Sequence, residues 1–251
     1  MALRISQSQL EVFEETALRD FEARVVQHVR QHFPKSFEVL GETRVLGIAR
    51  GAVERAREHG LTTERSVVTY LNLMLMLGSG FDTDPQLPWA AEILGDGRID
   101  EAGKSDALYD KALDYFEQVA GPGGVNAAEA LGRIQRESAD DLPTALGPEF
   151  YSRLLARLRA VYPEKCDYVG ELGLRRMIQR GIEQARHYRI TGGRGVAVYV
   201  GLMFMLGSGF DEDPQMPWAA EVLNDAGDGG EAGKAERLRA AALESLAQMT
   251  T

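Results

Sequence analysis

The chain has 251 residues, of which 44% are hydrophobic, so it can build a folded core and is not a disordered protein. Its 28 Lys and Arg residues against 38 Asp and Glu give a net charge of −10. That sign argues against nucleic acid or an anionic membrane as the main partner, because phosphate binding needs clustered cations. The single cysteine, Cys166, excludes a disulfide framework within one chain.

The sequence shows no pattern of secretion or membrane insertion. Its first residues, MALRISQSQLEVFEE, have no cationic segment followed by an apolar run, so no secretory signal is expected. The longest apolar stretches, residues 67–77 and 196–206, are about half as long as a helix that spans a bilayer. We therefore expect a cytoplasmic protein that does not enter the membrane.

Helical spacing of apolar residues predicts the first three elements. The first is a helix over residues 13–32, ended by Pro34 because proline cannot continue a helix. The second, over 42–59, mixes Arg with Glu on its outer face, which indicates internal pairing rather than a docking site for an acidic partner. In the third, nine of the eleven residues at 67–77 are apolar, which favours a buried helix capped by Thr62. A buried strand is the alternative.

Turn-forming residues dominate the segment that follows the third helix. Gly-Ser-Gly at 78–80 is expected to end that helix, because glycine tolerates the left-handed conformation. Asp84 before Pro85 predicts a capping residue and the first residue of a short helix that carries Trp89. A final helix is expected at 104–119.

The same order of elements returns in the second half of the chain. Residues 150–223 align with residues 21–94 at a constant offset of 129 without a gap, and 31 of the 74 pairs are identical. The densest match is GSGFDTDPQLPWAAE against GSGFDEDPQMPWAAE. We predict an all-α fold: a tandem duplication of a four-to-five-helix module, with a pseudo-two-fold relation between the copies. Copy 1 is expected at residues 1–120, a linker at 121–147 and copy 2 at 148–251.

The second copy carries the matching predictions. Its equivalent features are helices at 148–161, 171–188 and 233–248, a proline stop at Pro163, and caps at Thr191 and Asp213. The linker has glycine and proline residues at both ends. It is expected to carry a short helix near residues 127–137.

The repeated FDxDPQxPWAAE motif supplies the main candidate site. Its candidate residues are Phe81, Asp82, Asp84, Trp89 and Glu92, matched by Phe210, Asp211, Asp213, Trp218 and Glu221. Carboxylates at alternate positions can bind Ca²⁺ or Mg²⁺, but the ligand series of an EF-hand loop is missing. We favour a structural role in caps, turns and core, ahead of a partner-binding surface and of a metal site. No metal or cofactor is predicted.

Other candidate groups do not predict catalysis. His28 and His32 have the i, i+4 spacing of a zinc pair, but no third ligand is identifiable. The GGRG segment at 192–195 is similar to a phosphate-binding loop, but no Lys-Ser/Thr pair follows it. Cys166 has Phe37 at the equivalent position of copy 1, which argues against a catalytic thiol. We therefore predict a binding protein with no catalytic residues.

The end of the buried helix, LxLMLxLGxxFD, and the following DPxxPWAAEIL resemble a group of uncharacterised bacterial proteins. Members of that group are often encoded beside spike and toxin genes of type VI secretion systems. The resemblance covers about 50–80 residues of each copy, and most relatives carry a single copy. The duplication in this chain departs from the group's pattern. A tandem chain could replace a homodimer of single modules by covalent pseudo-symmetry.

The resemblance implies a cytoplasmic adaptor or chaperone that holds a secreted effector or its spike protein. Two alternatives remain: an immunity protein that neutralises a cognate toxin, and a divalent-metal-binding protein that uses the FDxDP loops. The expected partner is a protein (effector, toxin or spike), not nucleic acid or membrane. The expected state is a monomer with internal pseudo-symmetry or a homodimer.

Overall fold

The computed structural model describes residues 7–136, 143–225 and 230–250. These residues form an all-α protein, as predicted from the sequence, and contain no β-strand. The described α-helices are, in chain order, α1 Gln7–His32, α2 Pro34–Glu58, α3 Glu64–Leu77, α4 Pro88–Gly95, α5 Glu101–Tyr115, α6 Val125–Arg136, α7 Pro148–Val161, α8 Pro163–His187, α9 Gly193–Leu206, α10 Pro217–Asn224 and α11 Gly230–Thr250. A single π-helical turn, Phe116–Ala120, continues α5.

Prolines separate the first two helices of each sequence repeat. The helix α1 ends at His32 and α7 at Val161, as the sequence predicted. Pro34 and Pro163 do more than stop a helix, since each begins the next one as its first residue. The fixed φ of proline suits that position, where its missing N–H would have no helical partner anyway. The helical segments after Gly41 and Gly170 begin where the sequence predicted the second helices, at residues 42 and 171. Each is preceded by a further helical segment that starts at the proline.

Both second helices are interrupted by a glycine in the left-handed region. Gly41 has φ 73° inside α2, and Gly170 has φ 70° inside α8. An L-residue with a side chain is strained at such a φ, so glycine is the residue that allows each helix to change direction there. This conformation accounts for the presence of glycine at both equivalent positions.

The chain divides into two compact units, Met1–Asn72 and Leu73–Thr251. In the first unit, α1 packs against α2 through buried Val25, Val29, Val45 and Ile48. Ion pairs such as Arg50–Glu22, at 2.6 Å, lie at its surface. Pairs of this kind contribute little to stability because solvent screens them, so the apolar contacts hold the unit together.

The second unit is built around α9. Its residues Val200, Met203 and Phe204 are completely buried, and α7, α8 and α11 pack against it. This confirms the prediction of a buried helix rather than a strand at this position. Leucines of the surrounding helices, such as Leu174 and Leu238, are also completely buried. No helix in the described part of the chain has the length and apolarity needed to cross a membrane.

Candidate functional site

The two FDxDPQxPW loops both belong to the second unit. Each follows a glycine with positive φ, Gly78 at 97° and Gly207 at 103°, which confirms the predicted glycine stop of the preceding helix. After Gly78 the backbone makes a single 3₁₀ turn, Phe81–Thr83, and a short turn through Pro85 before α4 begins. The loops are therefore compact turns that leave little backbone exposed to a ligand.

A carboxylate from each loop is hydrogen-bonded to the serine of the other loop. The backbone N–H and the hydroxyl of Ser208 donate to Asp84 at 2.8 and 2.7 Å. In return, the backbone N–H and the hydroxyl of Ser79 donate to Asp213, both at 2.7 Å. All four residues are buried, so these charge-assisted bonds are shielded from water.

Each aspartate also holds its own loop. The backbone N–H of Gln86 donates to Asp84 at 2.8 Å, and that of Gln215 donates to Asp213 at 2.8 Å. The two glutamine side chains reach across to the other loop. The amide nitrogen of Gln86 donates to the Met203 carbonyl at 2.9 Å, and that of Gln215 to the Met74 carbonyl at 2.7 Å. Each carbonyl also accepts the backbone N–H of the glycine that ends its helix, Gly207 for Met203 and Gly78 for Met74, both at 3.0 Å.

The backbones of the two loops approach each other closely at their glycines. A Cβ on Gly78 would lie 3.2 Å from the Leu206 carbonyl oxygen, and a Cβ on Gly207 would lie 3.2 Å from that of Leu77. A Cβ on Gly80 would meet the Cα of Gly209 at 3.8 Å. Glycine is therefore required here both for its positive φ and for the space between the loops.

The predicted capping role of Asp84 and Asp213 was wrong. The helices that carry Trp89 and Trp218 begin at Pro88 and Pro217, and neither has a side-chain cap. The aspartates precede these helices by several residues and instead join the two loops. The position of Asp84 before Pro85 suggested a cap. A local sequence pattern cannot show a hydrogen-bond partner such as Ser208, which is 124 residues away in the chain.

The first acidic residues of the loops are buried as well. Asp211 is 4% exposed and accepts a hydrogen bond from the Tyr188 hydroxyl at 3.0 Å. Burial, together with the charge of Asp211, raises the pKa of Tyr188. Phe210 is also buried, with its ring centroid 5.1 Å from that of Tyr199. Asp82 in the first loop is equally buried, at 4%.

The remaining motif residues divide between core and surface. Trp89 and Phe81 are buried, at 7% and 1%, which agrees with a packing role, and Trp218 is half-buried. Glu92 and Glu221 are exposed. The glutamates are therefore in a different environment from the buried aspartates with which the sequence grouped them.

The geometry does not favour a metal site in these loops. Asp84 and Asp213 each accept bonds from a serine N–H, a serine hydroxyl and a glutamine N–H, so a cation would have to displace protein donors. Within the described ranges, no group of three or more His, Cys, Asp or Glu side chains is placed to hold a metal ion.

The GGRG segment is occupied by a carboxylate of the protein itself. Glu231 accepts from the backbone N–H of Gly192 and, at 3.0 Å, from the hydroxyl of Thr191. The helix α9 has Gly192 at its N-cap and no side-chain cap of its own, so the predicted cap at Thr191 was wrong. The first repeat differs: its equivalent helix begins at Glu64, and the Thr63 hydroxyl accepts from the Ser66 N–H at 3.4 Å.

The structure reveals a buried lysine that the sequence did not single out. Lys165 is 6% exposed, and its Nζ donates to the Phe204 carbonyl. Burial lowers the pKa of Lys165 to about 8, against an opposing effect of Asp84. Next to it in the chain, Cys166 is 2% exposed, and burial raises the pKa of its thiol to about 11. A protonated, buried thiol is a poor nucleophile.

The structure also contains a cavity of about 90 Å³ in the second unit, which sequence patterns did not predict. Helices α6, α7, α9 and α11 supply its walls, which are apolar apart from Arg157 and Arg239. It lies beside Gly201, where an added Cβ would meet nothing within 4 Å.

The chain matches no family model, no curated protein and no solved structure in the comparisons with known proteins.

Proposed function

We propose that this chain is a non-enzymatic helical binding protein, a cytoplasmic adaptor or chaperone for a secreted effector or spike protein. We further propose that it arose by tandem duplication, and that its two repeats are related by a pseudo-two-fold axis through the joined loops. The observation that carries the proposal is the exchange of hydrogen bonds between Asp84 and Ser208 and between Asp213 and Ser79.

Reciprocity is the property expected of a two-fold contact, in which one residue touches a second and the equivalent of the second touches the equivalent of the first. Asp84 and Asp213 are equivalent in the sequence repeat, as are Ser79 and Ser208. The loop motif that survives best in both repeats is thus the one that joins them. A single-copy relative would make the same contact as a homodimer.

The use of the motif in this contact favours binding over catalysis. Two of its buried carboxylates, Asp84 and Asp213, accept hydrogen bonds from the protein itself. A function is then expected on the outer helical surfaces, as in an adaptor. The resemblance to proteins encoded near type VI secretion genes indicates the kind of partner to expect, namely a secreted effector or a spike protein.

The direct test is co-purification from cells that co-express the chain with each product of its neighbouring genes. We expect one effector or spike protein to remain bound in a fixed ratio through affinity and size-exclusion steps. A folded variant with a surface change away from the loops, Asp110→Asn, serves as a positive control. If the well-folded chain retains none of these products, the adaptor proposal fails.

A second candidate is an immunity protein, which the net charge of −10 favours because an acidic surface suits the basic active site of a toxin that acts on nucleic acid. A protection assay separates the two. An immunity protein rescues cells that express the neighbouring toxin, whereas an adaptor promotes secretion of its cargo without protecting the cytoplasm.

A further inference from the structure

We propose that the open groove between α7 and α8 is a docking site for an acidic, amphipathic helix of a partner protein. The inference rests on the proposed binding function and adds the chemistry of the segment that is recognised.

The shape of the groove suits the side of a helix. The groove has a volume of about 790 Å³, and Tyr151, Leu155 and Ile182 supply apolar surface inside it. On α8 its lining runs from Arg175 to Arg186, which is about 16 Å or about three helical turns. A helix that docks into such a groove inserts apolar residues at i, i+4 and i+7 spacing. The groove therefore matches the length of a short amphipathic helix.

The exposure of the lining favours a polypeptide over a small molecule. Six of the eleven lining residues are exposed: Pro148, Ser152, Arg175, Gln179, Glu183 and Arg186. Sites for small molecules bury about 70–90% of the surface of their ligand, which a groove open along one side does not do. A docked helix needs to bury only one face, so it can use an open groove.

The helix α8 is rich in arginine beside the groove. Its segment after Gly170, residues 171–187, has four arginines and two glutamates. Two of the arginines are used within the protein: Arg175 pairs with Glu171 at 2.7 Å, and Arg180 donates to the Thr83 carbonyl at 3.0 Å. The pairing of Arg with Glu that the sequence pattern indicates is therefore realised for Arg175.

The other two arginines of this segment are unpaired. The guanidinium groups of Arg176 and Arg186 are exposed and have no ion pair or hydrogen bond with any residue that the structure describes. Glu183, the remaining acid, accepts from the Gln179 amide at 3.4 Å. Two unpaired cations against one carboxylate make this face positive, although the chain has a net charge of −10. Acidic residues that flank the apolar face of a docked helix would complement it.

The first repeat has an ion pair at the equivalent place. Glu22 and Arg50 correspond to Tyr151 and Gln179, and Arg50 donates to Glu22 at 2.6 and 3.1 Å between α1 and α2. The Glu22 side chain is only 12% exposed. In the second repeat this pair is replaced by two uncharged side chains, and Tyr151 is half-buried at the groove. Tyrosine is frequent in binding surfaces because it joins an apolar ring to a polar hydroxyl.

Fluorescence anisotropy with a labelled peptide tests the docking. The probe is Glu-Leu-Glu-Ala-Leu-Leu-Glu repeated twice in tandem, whose leucines form one face of a helix. We expect saturable binding to the intact protein. A peptide with Lys in place of every Glu should bind at least about tenfold more weakly, because the groove repels it. A peptide with Gln in place of every Leu should also bind at least about tenfold more weakly, because it keeps the charge without the apolar face.

Four results would overturn the inference. The first is no saturable binding of the acidic peptide by the folded protein up to about 1 mM, and the second is equal binding of the acidic and basic peptides. Equally tight binding of a labelled single-stranded DNA oligonucleotide would assign the groove to nucleic acid instead. A dimer of the protein that Arg186→Glu dissociates would assign it to a second copy of the chain.

Variants locate the binding site. Arg186→Glu reverses the charge at one end of the groove, so it should weaken binding of the acidic peptide at least about tenfold and strengthen binding of the basic one. The double variant Tyr151→Glu with Gln179→Arg introduces the ion pair of the first repeat and should also weaken docking. The matched control is Arg44→Glu, at an exposed arginine of α2, which should bind normally. Unchanged binding of the acidic peptide by folded Arg186→Glu contradicts the inference.

The variant Arg186→Glu also separates this inference from the proposed function. If the wild-type protein and Arg186→Glu retain a neighbouring gene product equally well, the adaptor function stands and the groove is not its docking site. If the wild-type protein retains no product yet binds the acidic peptide through Arg186, the proposed adaptor role fails while the docking site stands.

Discussion

Asp84 accepts two hydrogen bonds from Ser208, a residue 124 positions further along the chain. One comes from the backbone N–H and the other from the hydroxyl, so a single carboxylate fixes both the backbone and the side chain of the opposite loop. The same arrangement recurs between Asp213 and Ser79. Because these residues are buried, the bonds cannot be replaced by water when one partner is removed.

Replacement of the joining carboxylates should therefore destabilise the protein strongly. In Asp84→Asn, one carboxylate oxygen becomes an NH₂ group, which must face donors from Ser208 or Gln86. We expect a loss of about 2–4 kcal/mol in the free energy of unfolding, and a similar loss for Asp213→Asn. Urea denaturation measures it. Asp110→Asn, at an exposed position of α5, should cost less than about 1 kcal/mol. Similar losses for all three variants would contradict a special role for the loops.

The close approach of the loops predicts that Gly207 does not tolerate a side chain. In Gly207→Ala, the Cβ would lie 3.2 Å from the Leu77 carbonyl oxygen at a φ of 103°. We expect a destabilisation of about 1–3 kcal/mol from strain and from separation of the loops, measured as a lower thermal midpoint. Gly201→Ala, in a helix with open space, should be neutral or stabilising by up to about 1 kcal/mol. A neutral Gly207→Ala would show that the loops can separate without cost.

Lys165 predicts a pH dependence of stability. Its pKa is about 8 in the folded protein against 10.5 as the ordinary value, so above pH 8 the unfolded chain binds a proton that the native protein has lost. Lys165 should then raise stability by about 2 kcal/mol between pH 7 and 9.5. Cys166 offsets about 1 kcal/mol of this rise, because its pKa is raised to about 11 and the unfolded thiol ionises first. Above pH 10 the trend should reverse, because the pKa of half-buried Tyr188 is raised and the tyrosine of the unfolded chain ionises first.

The assignment to Lys165 is checked by urea denaturation at several pH values between 7 and 9.5. Lys165→Met should abolish the rise, whereas Lys111→Met, at an exposed position, should keep it. Parallel pH profiles for the wild type and Lys165→Met would mean that another group causes any rise.

Glu231 should stabilise the start of α9. In Glu231→Gln, the charged acceptor of the Gly192 N–H and the Thr191 hydroxyl is lost at a helix N-terminus, where negative charge is favourable. We expect a loss of about 1–2 kcal/mol and faster amide hydrogen exchange at Gly192. The control is Glu236→Gln, at an exposed position. Unchanged exchange at Gly192 would argue against this capping role.

Cys166 should react slowly with thiol reagents in the native protein. It is 2% exposed, and its pKa is raised to about 11, so little thiolate is present or accessible at pH 8. Titration with Ellman's reagent should show one thiol that reacts quickly only in denaturant. A rapid reaction in the folded protein, with the structure intact, would contradict the buried environment.

Local patterns in the sequence determined the class of fold and several element boundaries. The ends of α1 and α7 beside Pro34 and Pro163 were predicted because proline acts on its immediate neighbours. The glycine stops at Gly78 and Gly207 were predicted because a left-handed residue is a local requirement. Burial of the helix at 193–206 followed from its continuous apolar run, which has no polar face to present to water.

Only the tertiary structure decided the hydrogen-bond partners of the polar residues that both repeats share. Asp84 was assigned to a cap from its neighbours, whereas its partner Ser208 lies in the other repeat. Likewise, only the fold brings Glu231 to the GGRG segment, where its carboxylate accepts from the Gly192 N–H. A hydrogen-bonding group can pair with a residue anywhere in the chain, because the tertiary fold, and not the spacing in the sequence, determines which groups lie within hydrogen-bond distance. The cavity beside Gly201 is also a tertiary property, since four helices must pack before a missing side chain leaves a space.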